Sequence, residues 1–172
     1  MTSPSETLTA LIREHRKGFL KNYAVESYYK VNCGLCEEFA YEVHERFEHR
    51  HLAEVVYTEH YLDEFDNLDW NRLPIAVPDG LTRQEIEQVR LGGHCFLEMQ
   101  GRWYDAECPE GVESFLDLPI FRRPIVLALR KKGLQADDVL PEDVIPPPQC
   151  QIPNPPLVKM TSRLVNILEQ TL

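Results

Sequence analysis

The amino-acid sequence predicts an α+β fold in which N-terminal helices pack on a small antiparallel β-sheet. Two segments near the N-terminus place apolar residues at helical spacing. Further along the chain, a glycine-containing turn at residues 100–101 separates two short runs that are typical of a β-hairpin. A helix whose N-terminus faces the open side of such a sheet is the α+β arrangement.

The first segment predicts a helix that begins at Ser3 or Ser5. Glu6 follows Ser3 at the spacing of a capping box, in which the serine hydroxyl and the glutamate carboxylate each accept a hydrogen bond from the other residue's backbone. The side of this helix that faces the core is expected to carry Leu8, Leu11, Ile12, His15, Phe19 and Leu20.

A second helix is predicted from about Leu35 to His49, after a short aromatic stretch at 27–31 that is expected to be extended. Cys36 continues the apolar stripe of this helix at its N-terminal end. The thiol is therefore expected to face inward at the first turn, where the helix dipole favours an anion. The rest of the stripe consists of Phe39, Ala40, Val43 and Phe47.

Four strands and one short helix are predicted in the middle of the chain. Thr82, with Glu85 three residues later, is typical of a helix N-cap and predicts a short helix that ends near Leu91. The predicted strands are 55–61, the hairpin arms 94–99 and 102–107, and the apolar run 125–129.

The chain length of 172 residues corresponds to one ordinary domain with a substantial core. We expect residues 1–140 to form the body of this domain. Residues 141–156 are rich in proline, which favours extended structure, and they are expected to lie as an arm on the domain surface. Residues 157–172 predict a C-terminal helix that docks on the same domain.

The charge balance argues against two classes of partner. With 18 basic and 28 acidic residues the formal net charge is −10, which disfavours nucleic acid and an anionic membrane surface. The sequence shows no secretory leader and no apolar run of membrane-spanning length, so we expect a cytoplasmic protein. Five cysteines, an odd number, predict unpaired thiols rather than a disulfide framework.

Three residues stand in local sequences that suit a nucleophilic site. Cys36 begins the second helix, His94 begins the first arm of the hairpin, and Asp105 lies on its second arm. A thiol becomes a good nucleophile when a helix N-terminus and an imidazole stabilise its thiolate and a third group orients the imidazole. If residues 100–101 form a two-residue turn, His94 and Asp105 are diagonal neighbours on one face, about 7–8 Å apart between backbones. Glu107 shares that face and is the alternative orienting group.

The positions around these three residues form a wider pattern. They are Gly34, Cys36, Phe39, Ala40, His94, Gly101, Arg102, Tyr104, Asp105 and Ala106. This pattern resembles the papain-like superfamily of cysteine hydrolases, in its transglutaminase-like branch with bacterial and phage members. The resemblance covers residues 32–121. It implies a papain-like/transglutaminase-like core in which the nucleophile helix packs on the sheet.

The resemblance also implies a role for each residue. Cys36 would be the nucleophile, His94 the general base and then the general acid, and Asp105 the group that fixes the imidazole tautomer. The Cys36 backbone N–H and one side chain would hold the oxyanion. Papain-like enzymes often carry a glutamine upstream of the cysteine, and this chain has none there. The candidates for that second donor are Asn32, Tyr29 and Tyr28.

The expected function is cysteine-dependent acyl transfer or hydrolysis of a peptide, isopeptide or amide bond. The substrate is expected to be a protein or peptide, and the thioester route needs neither a cofactor nor a metal. One alternative is a catalytically silent protein-interaction module of the same fold, suggested by the missing glutamine. Another is thiol–disulfide redox chemistry, because Cys33 and Cys36 form a Cys-x-x-Cys motif at a helix start.

A zinc site is the least favoured alternative. Its ligands would come from Cys33, Cys36 and Cys108 together with His94 or Cys95. Structural zinc sites usually show two close pairs of ligands, and the second pair here is poorly spaced. His94 and Cys95 are also adjacent on a strand, so their side chains are expected to point to opposite faces.

Overall fold

The structure, a computed structural model, describes residues 2–62, 68–69, 79–88 and 93–133. Its helices are α1 (Pro4–Asn22), α2 (Tyr28–Asn32), α3 (Cys36–Arg46), α4 (Arg83–Gln88) and α5 (Pro119–Lys131). Its strands are β1 (Glu54–Tyr57), β2 (Cys95–Met99) and β3 (Arg102–Tyr104). The predicted arm at 141–156 and the predicted helix at 157–172 lie outside the described residues. None of the described helices has both the length and the apolar character that a bilayer crossing requires.

The three strands form one antiparallel sheet in the order β1–β2–β3. Met99 pairs with Arg102 across the hairpin. Gln100 and Gly101 both have positive φ, 54° and 75°. Positive φ at both central residues belongs to the tight turn whose twist matches that of the flanking strands. The predicted two-residue turn and the mixed α+β class are therefore confirmed.

Two predicted helix starts are confirmed in atomic detail. The Ser3 hydroxyl accepts from the Glu6 N–H, and the Glu6 carboxylate accepts from the Ser3 N–H, which completes the capping box of α1. Thr82 and Glu85 exchange the same pair of bonds at the start of α4. The predicted end of α4 near Leu91 lies outside the described residues.

The sheet is covered on both faces, and each face has its own apolar cluster. One cluster joins α1, α3 and one face of β2; its members include Leu8, Ile12, Phe39, Val43, Leu97 and Met99. The other joins the opposite face of the sheet to α5; its members include Val56, Phe96, Trp103, Phe115, Phe121 and Ile125. Side chains alternate between faces along a strand, so β2 contributes to both clusters and is apolar almost throughout.

Two elements were predicted wrongly from sequence. Residues 125–129 are not a strand, because they lie within α5, whose buried residues Phe121, Ile125 and Leu129 recur every four positions. Pro119 at the first turn suits a helix start. Residues 27–31 are not extended, because α2 begins at Tyr28 and the Ser27 side chain caps it by accepting from the Lys30 N–H.

Outside the hairpin, two boundaries also differ from the prediction. The strand predicted at 55–61 is confirmed as far as Tyr57, after which Thr58–Tyr61 forms a 3-10 turn. Helix α3 ends at Arg46 rather than at His49. Element ends are decided by a few local bonds, so patterns of apolar residues place them poorly.

Candidate functional site

Cys36 is the first residue of α3, and it is half-buried against the cluster that joins α1, α3 and the sheet. Leu35 precedes it as the N-cap residue and supplies no side-chain hydrogen bond to the first turn. The first N–H groups of a helix have no partner within the helix, and they form the positive end of its dipole. The thiol therefore lies at the electropositive end of an eleven-residue helix.

His94 directly precedes β2, and both its backbone and its ring are held in place. The backbone N–H donates to Thr58 Oγ1 at 3.0 Å, and the carbonyl accepts from the Thr58 N–H at 2.9 Å. The imidazole centroid lies 5.7 Å from the centroids of Phe96 and of Phe121. The side chain is 0% exposed, so the ring is buried against Phe96 and Phe121 at the start of β2.

Asp105 lies where β3 ends, and its side chain explains that ending. Oδ1 accepts from the backbone N–H groups of Glu107 and Cys108, at 2.9 and 2.7 Å. An aspartate that bonds the backbone two residues ahead makes an Asx turn, which competes with the strand ladder. The predicted hairpin arm at 102–107 is therefore a strand only as far as Tyr104.

The structure brings His94 and Asp105 together. The distance from His94 Nε2 to Asp105 Oδ2 is 3.3 Å, and the aspartate side chain is 1% exposed. An acceptor at this position selects the tautomer in which Nε2 carries the proton and Nδ1 carries the lone pair. Nδ1 makes no hydrogen bond of ordinary geometry within the described part of the chain.

The Cys36 thiol is the second neighbour of the imidazole. Burial by itself lowers the pKa of His94, but the interactions with Asp105 and with the Cys36 thiol outweigh it and raise the pKa to about 9. Because Nε2 faces the carboxylate, Nδ1 is the nitrogen that remains for the thiol.

Two other thiols, Cys95 and Cys108, have raised pKa values. Burial, followed by the proximity of Cys36, raises the pKa of Cys95 to about 12. Burial, followed by the Asp105 carboxylate, raises the pKa of Cys108 to about 12. Since the thiolate is the reactive form, Cys95 and Cys108 are poor nucleophiles near neutral pH.

The Cys33–Cys36 motif spans the junction between two helices. Cys33 is the C-cap residue of α2, and Cys36 begins α3. None of the four cysteines within the described ranges forms a disulfide. These ranges also contain no group of three or more His, Cys, Asp or Glu side chains arranged to hold a metal ion.

Asn32 lies beside the carboxylate of Asp105. Its amide nitrogen donates to Asp105 Oδ2 at 3.0 Å and to Glu107 Oε2 at 3.1 Å. Sequence reasoning considered Asn32 as an oxyanion donor, but in this arrangement its two amide hydrogens are directed at carboxylates.

The tyrosines considered for the oxyanion role each stack under an arginine. Tyr29 lies under the Arg123 guanidinium, 4.7 Å from ring centroid to Cζ, and Tyr28 lies under Arg16 at 4.4 Å. These contacts involve the ring faces, so Tyr29 and Tyr28 stay predictions for the second oxyanion donor, beside the Cys36 backbone N–H.

Glu107 does not replace Asp105 as the partner of the imidazole. It pairs through both carboxylate oxygens with Arg123, and the two side chains are each 12% exposed. Arg123 was missed from sequence because α5 was assigned as a strand. On α5, Arg123 lies two positions from both Phe121 and Ile125, so it does not share their buried face and no periodic pattern in the sequence marks it.

Comparisons with models of protein families, with curated proteins and with solved structures found no match to this chain. The resemblance to the papain-like superfamily therefore stays a prediction. Functional reasoning depends on the geometry of Cys36, His94 and Asp105.

Proposed function

We propose that the protein is a cysteine-dependent hydrolase or acyltransferase, with a papain-like arrangement of Cys36, His94 and Asp105. The observation that carries this proposal is the buried imidazole of His94, which has a carboxylate on Nε2 and a thiol as its other polar neighbour. A nucleophile, a base and an orienting acid in this order are the parts that thiol-based acyl transfer requires.

The first chemical step is a proton transfer within the site. The Cys36 proton passes to His94 Nδ1, which gives a thiolate and an imidazolium. The raised pKa of His94, about 9, favours the charged imidazolium at neutral pH. Asp105 stabilises that charge and keeps the Nε2 proton in place. The dipole of α3 favours the thiolate at its N-terminus.

The thiolate then attacks a substrate carbonyl and forms a tetrahedral intermediate. The Cys36 backbone N–H, at the positive end of α3, is placed to stabilise the oxyanion. The intermediate collapses as the carbon–nitrogen bond breaks, and the imidazolium gives its Nδ1 proton to the leaving amine. The product is a thioester on Cys36. Water, deprotonated by His94, resolves the thioester to a carboxylic acid and restores the thiol; an amine acceptor gives a new amide instead.

The proposal extends to the substrate and the location. We place a peptide, isopeptide or amide bond of a protein or peptide at the site, and we place the protein in the cytoplasm. The substrate follows from the resemblance described above, and the unpaired cysteines support the location. Transamidation and deamidation share the thioester step. An added primary amine is incorporated into the product only in transamidation, whereas deamidation hydrolyses a side-chain amide and releases ammonia.

Alkylation by iodoacetamide tests the thiolate directly. We expect Cys36 to react first at pH 7, with Cys95 and Cys108 unmodified, when sites are identified by peptide mass mapping. The variant His94→Ala should slow the reaction of Cys36 about tenfold or more, since an ordinary thiol is only a few per cent thiolate at this pH. All variants carry Cys150→Ser, because Cys150 lies outside the described residues. Slow, uniform labelling of all thiols would contradict the proposal and favour the silent interaction module.

The variant Cys33→Ser separates acyl transfer from redox chemistry. Acyl transfer predicts that alkylation of Cys36 and its dependence on His94 both survive this substitution. A redox site predicts instead that a mild oxidant links Cys33 to Cys36 reversibly in the wild type, and that the substitution abolishes this reaction. Non-reducing mass analysis of the wild type and the variant gives the answer.

A further inference from the structure

Asn32 is a buried polar residue at the last position of α2. It is 2% exposed, and both of its amide hydrogens point at carboxylate oxygens, on Asp105 and on Glu107. Its own carbonyl oxygen, Oδ1, has no hydrogen-bond partner within the described residues. An unpaired buried oxygen opposes folding, and an apolar side chain of similar shape would avoid it. Any benefit of Asn32 at this position therefore comes from the two hydrogen bonds of its amide nitrogen.

The Asn32 amide nitrogen completes the set of hydrogen bonds that orient the Asp105 carboxylate. Oδ1 is fixed by two backbone N–H groups of the Asx turn. Oδ2 accepts from Asn32 and faces the imidazole of His94. Without Asn32, the histidine itself would be the sole hydrogen-bond partner seen at Oδ2 in the described structure. The turn fixes Oδ1, and Asn32 supplies the donor that fixes Oδ2, the oxygen that faces the ring.

Asn32 is in turn anchored on its other side. Glu107 accepts from the Asn32 amide and is neutralised by Arg123, whose guanidinium stacks on Tyr29. Both carboxylate oxygens of Glu107 pair with Arg123, so the charge of this second carboxylate is compensated beside the amide. The chain of contacts runs from Arg123 on α5, through Glu107 and Asn32, to Asp105.

We propose that Asn32 is a positioning residue, which fixes the Asp105 carboxylate and thereby keeps the imidazole of His94 turned with Nδ1 towards Cys36. The Glu107–Arg123 pair holds the amide in place. This role rests on the proposed function, because it assigns to Asn32 the orientation of the base rather than contact with a substrate.

Proton NMR at pH 7 tests this role through the imidazole N–H of His94. A buried imidazolium N–H bonded to a carboxylate gives a downfield, slowly exchanging signal, which His94→Ala assigns by its loss. We expect Asn32→Leu, which keeps the side-chain shape but removes the donor, to broaden or abolish this signal. We also expect it to slow alkylation of Cys36 about tenfold.

Ile12→Val is the control for this experiment. Ile12 is also buried, but it lies on α1 and belongs to the apolar cluster that joins α1, α3 and the sheet. We expect the downfield signal and the alkylation rate to persist in Ile12→Val, which loses one buried methyl group. The proposal is overturned if Asn32→Leu keeps both the signal and the alkylation rate, or if Ile12→Val loses the signal to the same extent.

The wild-type protein provides a second test that does not depend on whether Asn32→Leu folds. The side-chain amide protons of Asn32 should exchange with solvent much more slowly than those of an exposed asparagine such as Asn22. Exchange at the rate of Asn22 would overturn the proposal. If wild-type Cys36 is not alkylated selectively, the proposed function fails. The NMR measurements then still decide whether Asn32 orients the Asp105–His94 pair.

Discussion

The ionisation of His94 couples the candidate site to the stability of the fold. Burial acts against the imidazolium, yet Asp105 and Cys36 raise the pKa of His94 from 6.5 to about 9. A group whose pKa is higher in the folded state stabilises that state through its protonated form. The contribution is complete below about pH 6.5 and is lost as the pH rises through 9.

We therefore expect the free energy of unfolding to fall between about pH 6 and pH 9.5 by more in the wild type than in His94→Gln. The difference should not exceed about 3 kcal/mol, the value of the full shift. Urea unfolding of both proteins across this range measures it, and other titrating groups cancel in the comparison. Parallel curves for the two proteins would show that the imidazole is not stabilised as an imidazolium.

The substitution Asp105→Asn should keep the Asx turn but remove the negative charge beside His94. An asparagine oxygen still accepts from the Glu107 and Cys108 N–H groups, so the Asx turn should survive. Its NH₂ group would then face the Asn32 amide and the Nε2–H of His94, so donors would meet donors. We expect a stability loss of about 1–3 kcal/mol in urea unfolding. Alkylation of Cys36 at pH 7 should slow by about tenfold or more.

The control for that substitution is Asp117→Asn on the surface. The Asp117 side chain is 50% exposed, and its contact with Arg122 is a surface ion pair. Stability and alkylation should both match the wild type. Normal alkylation of Cys36 in Asp105→Asn would show that the imidazole does not need its carboxylate.

At the level of elements, substitutions at two glycines with positive φ distinguish the cost of backbone strain from the cost of a steric clash. Gly101 has φ 75° and Gly111 has φ 69°. A Cβ on Gly101 would meet no described atom within 4 Å, whereas a Cβ on Gly111 would lie 2.5 Å from Cε1 of Tyr104. Tyr104 is fully buried and directly precedes Asp105, so a displaced ring also disturbs the site.

Gly101→Ala should cost about 1–2 kcal/mol, the penalty for an L-residue with left-handed backbone. Gly111→Ala should cost about 2–5 kcal/mol, because overpacking against a buried ring adds to that penalty. Urea unfolding measures both. Alkylation of Cys36 should slow in Gly111→Ala and stay normal in Gly101→Ala. Equal stability losses in the two variants would show that the Tyr104 ring moves aside freely.

The elements that sequence predicted correctly are those fixed by neighbouring residues. The capping boxes at Ser3 and Thr82 and the turn at 100–101 each depend on a few adjacent side chains. The run 125–129 was too short to reveal its period, so α5 was mistaken for a strand. The end of β3 was missed because it depends on the hydrogen bonds from the Asp105 carboxylate to the backbone. The alternation of apolar residues does not predict these bonds.

The same limit applies to the site. The motifs around Cys36, His94 and Asp105 mark them as candidates, and hairpin parity places two of them on one face. Asn32 and Arg123 belong to helices whose packing no local pattern predicts. Their contacts with Asp105 and Glu107 join residues about 70 and 16 positions apart in sequence.

For the molecule as a whole, the net charge of −10 should affect access to Cys36. Glu37 and Glu38, both exposed, directly follow the thiol on the first turn of α3. Anionic iodoacetate should therefore react with Cys36 more slowly than neutral iodoacetamide, and added salt should narrow the gap by screening these charges. The alkylation rates of both reagents, measured by quenching samples at set times at several salt concentrations, give the ratio of the two rates. A ratio independent of salt would show that the surface charge does not reach the thiol.

The ion pair between Glu107 and Arg123 has a consequence for how the protein opens. Detaching α5 would strand one carboxylate and one guanidinium, each largely buried, without a partner. Partial opening of this helix is therefore disfavoured, and its backbone amides should lose their protection together with those of the Asx turn. In deuterium-exchange terms, α5 and the turn that follows β3 behave as a single cooperative unit.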